Sequence, residues 1–330
     1  MKVAAALPWV SDVWNRITQQ AKIDRLGHAL LLVGQEGTGK RLVLREFSQY
    51  LLCQSENKPC GECASCKLFD AGSHPDLLTV EPEEAGKQIK IEQIRKVTEF
   101  VNTTAQLGAK KVVMLGPAEA MNQNSSNALL KSLEEPSAHV TLLLYSHQPS
   151  SLLATIKSRC QQHSLYPPSW DQGLQWLQEN CQESGVESLL RLAKGAPLKA
   201  LNMVEQDVHV QYMQFCQGMK DLMAGQAVWT ELMASWKTWD AKNVLQWFYE
   251  MLLDVQKAKS GLSVAEYSVP EMATMTQTAA EAVNYGQMQA LIDKLVNAQG
   301  ALRSTANPNP QLIIETLLID WMGLMGQARA

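Results

Sequence analysis

The chain has 330 residues, 46% of them hydrophobic, and a net charge of −4. At about 100–200 residues per domain this length supports two or three domains, and no uncharged apolar run approaches the roughly 18 residues that span a bilayer. The expectation is a soluble, non-membrane protein, and the acidic balance argues against a free-standing DNA-binding domain with its usual basic stripe.

At the N-terminus, MKVAAALPWVSDVWNRI carries a Lys and a short apolar stretch, but Pro8, Trp9 and Asp12 interrupt it before any cleavage-like site. No export signal is expected, so the compartment is the reducing cytoplasm, where clustered cysteines are better read as metal ligands than as disulfides. The first predicted strand, Ala29–Val33, runs into GQEGTGKR, in which Gly34, Gly37, Gly39 and Lys40 match GxxxxGK, with a helical pattern following from Leu42. In such a loop backbone N–H groups wrap phosphate oxygens, the helix N-terminus adds a favourable dipole and the lysine reaches the terminal phosphates. The next position should carry a hydroxyl for Mg²⁺; here it is Arg41, which cannot ligate a cation.

Cys53, Cys60, Cys63 and Cys66 follow late in that helix and in the next loop, spaced C-x6-C-x2-C-x2-C. Four thiolates this close suit a closed, structural tetrahedral Zn²⁺ site that staples a loop too small for its own core. An iron–sulfur cluster is the rival; the ferredoxin spacing wants a further Cys where Asp70 stands. His74 is read as part of a turn into the next strand rather than as a ligand.

Strands are predicted at Leu77–Val80, 112–115 and 140–145. Between them, Ile91, Ile94, Val97 and Val101, and then Ala128, Leu129 and Leu133, recur at helical spacing. This alternation implies an α/β fold, a parallel sheet with helices over it. An ATPase needs an acidic pair at the end of a later strand, yet strand 112–115 ends in Gly116–Pro117. Glu119, two residues on, is either a displaced catalytic carboxylate or a solvated first-turn acid, and the second reading is preferred because acids favour helix starts.

Past Pro167 and Pro168 the strand signals stop. A short helical piece from Trp170 to about Val204 is followed by a longer one, with Val244, Trp247, Phe248, Met251, Leu252 and Val255 at helix spacing, read as bundle core rather than a partner-binding stripe. Linkers are expected at 166–169, around Gln206 and at 306–310. Cys160, Cys181 and Cys216 stand singly and read as ordinary buried cysteines.

KKVVMLGPAEAMNQNSSNALLKSLEEP, residues 110–136, resembles the acidic-pair strand and following helix of bacterial clamp-loader subunits of the AAA+ family, roughly KVVIIDEADxMNxxAANALLKTLEEP. Gly116 and Pro117 replace the acidic pair, while Asn127, Ala128, Leu129, Leu130, Lys131, Leu133, Glu134, Glu135 and Pro136 match. SSLLATIKSRCQ, residues 150–161, is similar to that family's Ser-Arg-Cys segment, HALLLVGQEGTGK to its first strand and P loop, and NPNPQLIIETLLI, residues 307–319, to its last helix.

The resemblance implies an AAA+ P-loop domain over 1–167 with an inserted zinc module at 53–66, a helical lid over 168–205, and an all-α collar over 206–330. It is closest to the delta prime branch of DNA polymerase III, which does not hydrolyse ATP. Where an active lid has GSxRDAL with a phosphate-sensing arginine, this chain has KGAPLKAL, with Leu198 at the arginine position. The resemblance further implies that Arg159 enters the ATP site of a neighbouring subunit and stabilises transition-state charge. The implied partners are the ATP-hydrolysing gamma/tau subunits, the clamp-opening delta subunit, and, through the assembly, the sliding clamp and primed DNA. DNA-directed polymerase activity would belong to the holoenzyme, since no carboxylate cluster here suits nucleotidyl transfer. Because Gly39 and Lys40 survive, ATP or ADP binding without turnover stays open. The competing readings are an active ATPase using Lys40 and Glu119, and a standalone DNA-binding protein.

Overall fold

The computed structural model describes residues 3–84, 86–108, 110–135, 139–183, 185–303 and 308–327. Pro136 and positions 306–307 of the expected linker lie outside the described residues. The chain forms two compact units, Met1–Asn180 with Gly195–Lys199, and Cys181–Lys194 with Ala200–Ala330.

In the first unit five strands, β1 (Ala29–Val33), β2 (Leu77–Val80), β3 (Lys111–Leu115), β4 (Val140–Ser146) and β5 (Gln161–Ser164), form one sheet in the order β2-β3-β4-β1-β5. Every pairing is parallel. Its helices are α1 (Val3–Ala6), α2 (Ser11–Lys22), α3 (Lys40–Leu52), α4 (Ala64–Asp70), α5 (Ile91–Val101), α6 (Gln123–Glu134), α7 (Ala154–Arg159) and α8 (Trp170–Asn180).

Strands such as ALLLV and KVVML are apolar at nearly every position, and successive side chains leave opposite faces, so both faces require cover. Leu31, Val33, Val113, Leu115, Leu142 and Leu144 pack with Ile94, Val97, Leu129, Leu133 and Ile156 of α5, α6 and α7. Leu30, Leu32, Val112, Met114, Leu143 and Tyr145 pack on the other side with Val13 and Ile17 of α2 and Val43, Leu44 and Phe47 of α3. The predicted α/β sheet with helices on both faces is therefore present. Strand β5 was not among the predicted strands: QQHS is polar and sits at the sheet edge, where only His163 is buried.

The second unit is helical: α9 (Val186–Leu192), α10 (Pro197–Glu205), α11 (Val208–Met223), α12 (Trp229–Trp236), α13 (Ala241–Lys259), α14 (Ala273–Ala282), α15 (Tyr285–Arg303) and α16 (Pro310–Gln327), the division between the units falling inside α10. The stripe Val244, Trp247, Phe248, Met251, Leu252 and Val255 is buried in α13, which packs on α14, α15 and α16. It is bundle core. Asp254, fully buried on the same helix, accepts from the backbone N–H groups of Ser268 and Val269 at 2.8 and 2.7 Å and pairs with Lys257. Among the described residues no helix is long and apolar enough to cross a membrane.

Candidate nucleotide and metal sites

In parallel α/β sheets ligands bind beyond the carboxyl ends of the strands, and the GxxxxGK loop lies there, after β1. Gly34 donates its N–H to the carbonyl of Ser146 at the end of β4, at 3.3 Å, and Gly39 caps α3. Lys40 is 2% exposed and donates to the carbonyls of Gly34 and Gln35 at 2.7 and 2.5 Å. Burial lowers its pKa to about 8, against the opposing charges of Glu119 and Glu36.

Other segments of the same unit cover the loop. Gly37 has φ +78°, and a Cβ there would meet the Lys199 Cβ at 2.4 Å and its backbone nitrogen at 2.6 Å. Only glycine allows this approach. The Lys199 ammonium pairs with Glu36 at 3.5 Å, and the Trp9 indole donates to the Thr38 carbonyl at 2.9 Å. Leu198 packs with the core beneath the loop; an apolar side chain thus occupies the position at which the resemblance places a phosphate sensor.

Where an active site holds Mg²⁺, this chain is built differently. Arg41 forms a two-pronged pair with Glu81, which follows β2, the Nη2–Oε2 contact measuring 2.8 Å. The Tyr145 hydroxyl donates to the same carboxylate at 2.9 Å. The hydrogen bonds that Arg41 donates to Glu81 raise the Arg41 pKa. The Tyr145 phenol is also pushed up, by burial first and by Glu81 second. Gly116 follows β3 under the Tyr145 ring, where a Cβ would lie 2.6 Å from two ring carbons, so the room for a strand-end carboxylate is filled by an aromatic ring.

Glu119 departs from the expected solvated first-turn acid. One of its oxygens accepts from the His147 backbone N–H at 2.8 Å. The other, like His147 Nδ1, is buried with no hydrogen-bond partner among the described residues. The physical reason is that the short helix Ala118–Ala120 tucks against the end of β4 rather than facing water. Burial, then the Lys40 charge, lowers the His147 pKa. Glu36, Glu81, Tyr145, His147 and Lys199 are not singled out as site residues by the sequence. Glu81 alone had a local signal, an acid directly after a predicted strand.

Arg159 closes α7 on the far side of the sheet from α3. Its Nη2 pairs with Glu134 Oε1 at 2.7 Å and its Nη1 donates to the Thr155 carbonyl at 3.0 Å. The side chain is 35% exposed.

The four cysteines converge. Cys53 caps α3, Cys63 caps α4 and Cys66 lies inside α4. The sulfur atoms of all four are within 4.8 Å of one another, with Cys53–Cys60 at 3.6 Å, Cys60–Cys66 at 3.9 Å and Cys53–Cys63 at 4.0 Å. Four thiolates at about 2.3 Å from a tetrahedral ion are about 3.8 Å apart, so the set could hold a metal with shifts of no more than about 1 Å. Burial opposes ionisation of Cys63, but backbone N–H groups of Cys66 and Gln54 outweigh it and bring the thiol to about 6. Burial pushes Cys66 up to about 12, a cost that a bound cation reverses. Among the described residues this is the one cluster of potential metal ligands.

His74 is buried outside the cluster. Its Nδ1 accepts from the Asp76 N–H at 3.0 Å, which leaves Nε2 to donate to Ser65 Oγ at 2.8 Å. Cys160 and Cys216 are buried as expected, whereas Cys181 is part-exposed.

Residues 9–169 match a family model described as DNA polymerase III, delta subunit, and residues 206–323 one described as DNA polymerase III, delta subunit, C terminal. The chain is 38% identical over 329 residues to DNA polymerase III subunit delta' of Pseudomonas aeruginosa, covering 98% of this chain and 99% of that one. It is 32% identical over 321 residues to the protein of the same name from Escherichia coli, covering 94% of each. With the Bacillus subtilis protein of that name it shares 39% identity over 145 residues, 44% of each chain. Identity at this level over nearly the whole length places the chain in the DNA polymerase III subunit delta' family.

Proposed function

We propose that this chain is a non-hydrolysing subunit of a DNA polymerase III clamp loader, which places the sliding clamp on primed DNA, and that it donates Arg159 in trans to the ATP site of a neighbour. The observation that carries the reading is the Arg41–Glu81–Tyr145 arrangement over Gly116. Hydrolysis needs Mg²⁺ held by a hydroxyl and a carboxylate, and a group that orients water; here a neutralised guanidinium and an aromatic ring fill that space. Nucleotide held at Gly34, Gly37, Gly39 and Lys40 is bound without turnover.

On this reading residues 1–167, 168–205 and 206–330 act as P-loop domain, lid and collar, in a cytoplasmic assembly with gamma/tau and delta subunits, and the four cysteines hold a structural Zn²⁺. The thiolate-only donor set supports zinc over a harder ion. Zinc in that site would offset half of the thiolate charge and cross-link the loop, while the chain supplies the backbone N–H groups that hold the sulfurs in place.

The test is reconstitution with the partner subunits. The isolated chain shows no Mg²⁺-dependent ATPase, and Arg159→Ala lowers single-turnover hydrolysis at the neighbouring site by about 10³-fold or more, with clamp loading lost. Unchanged hydrolysis and loading would sink the assignment. A second reading, an active ATPase using Glu119, draws on the placement of that carboxylate within electrostatic reach of Lys40. It requires turnover by the isolated chain that Lys40→Ala abolishes.

A further inference from the structure

We propose that Glu134 is the positioning residue for Arg159, an inference that rests on the reading of Arg159 as a group donated to a neighbouring ATP site. Glu134 is the last residue of α6 and Arg159 the last of α7. The two helices share the core under one face of the sheet through Leu129, Leu133 and Ile156, so both ends are carried on a rigid base.

The guanidinium is held from two directions. Nη2 meets Glu134 Oε1 at 2.7 Å, and Nη1 meets the Thr155 carbonyl, one turn back on its own helix, at 3.0 Å. Two contacts on different nitrogens fix both the position and the plane of a flat group. Of the five N–H donors of an arginine, the others have no partner among the described residues and are available to engage a phosphate.

Orientation, not stability, is what the pair supplies. Both side chains are substantially exposed, 35% and 48%, and such pairs contribute little to folding. A carboxylate at a helix C-terminus is moreover disfavoured by the helix dipole, so Glu134 has no reason of its own to stand at the end of α6. A six-residue helix ending in a long, flexible side chain would otherwise leave the guanidinium free to sample several rotamers. Misplacement of a catalytic group by about 1 Å costs up to about a hundredfold in rate.

The experiment is steady-state and single-turnover ATP hydrolysis by the reconstituted, DNA-stimulated loader carrying Glu134→Ala, Glu134→Gln, Arg159→Ala or the Glu134→Ala/Arg159→Ala pair. Glu134→Ala lowers kcat at the neighbouring site about tenfold with KM for ATP unchanged. Glu134→Gln, which keeps an oxygen for Nη2, recovers part of that loss, and the double variant is no slower than Arg159→Ala alone. The thermal midpoint of the Glu134→Ala chain is unchanged or higher, because an acid has left a helix C-terminus; a merely structural role would lower it. Full or increased kcat in Glu134→Ala, with Arg159→Ala impaired, overturns the positioning role and leaves the donated arginine intact. Full activity in Arg159→Ala overturns both.

Discussion

Gly116 and Lys40 are each confined by what packs against them. At Gly116 a Cβ would stand 2.6 Å from carbons of the Tyr145 ring, so an acid placed there overpacks the site. Gly116→Asp is expected to destabilise the chain by about 1–3 kcal/mol, measured by urea denaturation, and to cost less in a Tyr145→Leu background, since the clash is with the ring. Lys40 makes a second, independent test through pH. Its folded pKa of about 8 lies below the ordinary 10.5, so between those values the unfolded chain binds the extra proton. By linkage, stability then rises as pH rises through this window, and below about 8 the full cost of burying the ammonium is present. That cost is on the order of 3 kcal/mol. Lys40→Met should remove the rise between pH 8 and 10.5 when its denaturation profile is compared with that of the parent chain.

At the scale of elements, the cysteine module was the most legible feature and the Arg41–Glu81–Tyr145 cluster the least. Four cysteines within 14 residues, Cys53 to Cys66, announce convergence by spacing alone, and their sulfurs do converge. By contrast Arg41 meets Glu81 40 residues away and Glu81 meets Tyr145 64 residues away; nothing local marks either pairing. The module is tied to the sheet by a relay in which His74 donates to Ser65, Ser65 donates to the Leu52 carbonyl, and the Asp76 carboxylate accepts from the N–H groups of Gln106 and Leu107. Ser65→Ala leaves His74 buried without that partner and is expected to cost about 1–3 kcal/mol by denaturant titration. If the cluster holds a metal as proposed, Cys60→Ser with Cys63→Ser should abolish metal content, read by elemental analysis, and open the 54–62 loop to protease, because the metal would be what fixes that segment.

For the molecule as a whole, the sheet was legible where strands are apolar, as in β1, buried at every position, and in β2, an apolar edge strand that is only part-buried; the expected limits of both coincide with those observed. Edge strand β5, polar at all four positions and exposed or half-exposed at three of them, left no such trace. The long stripe of α13 was legible because helical spacing and burial coincide there. The division into two units carries the last prediction. Metal stabilises only the unit that holds it, since binding free energy acts on the folded state of its own cooperative block. Chelation should therefore lower one thermal transition of the chain and leave a second in place. Tryptophans distinguish the two: Trp9, Trp14, Trp170 and Trp176 belong to the first unit, and Trp229, Trp236, Trp239, Trp247 and Trp321 to the second. In a chain carrying Trp9→Phe, Trp14→Phe, Trp170→Phe and Trp176→Phe, fluorescence follows the helical unit alone, and its midpoint should not move when a chelator is added. Far-ultraviolet circular dichroism of the same sample should show the other transition falling. A single transition shifted as one by the chelator would mean that both units unfold as one cooperative block.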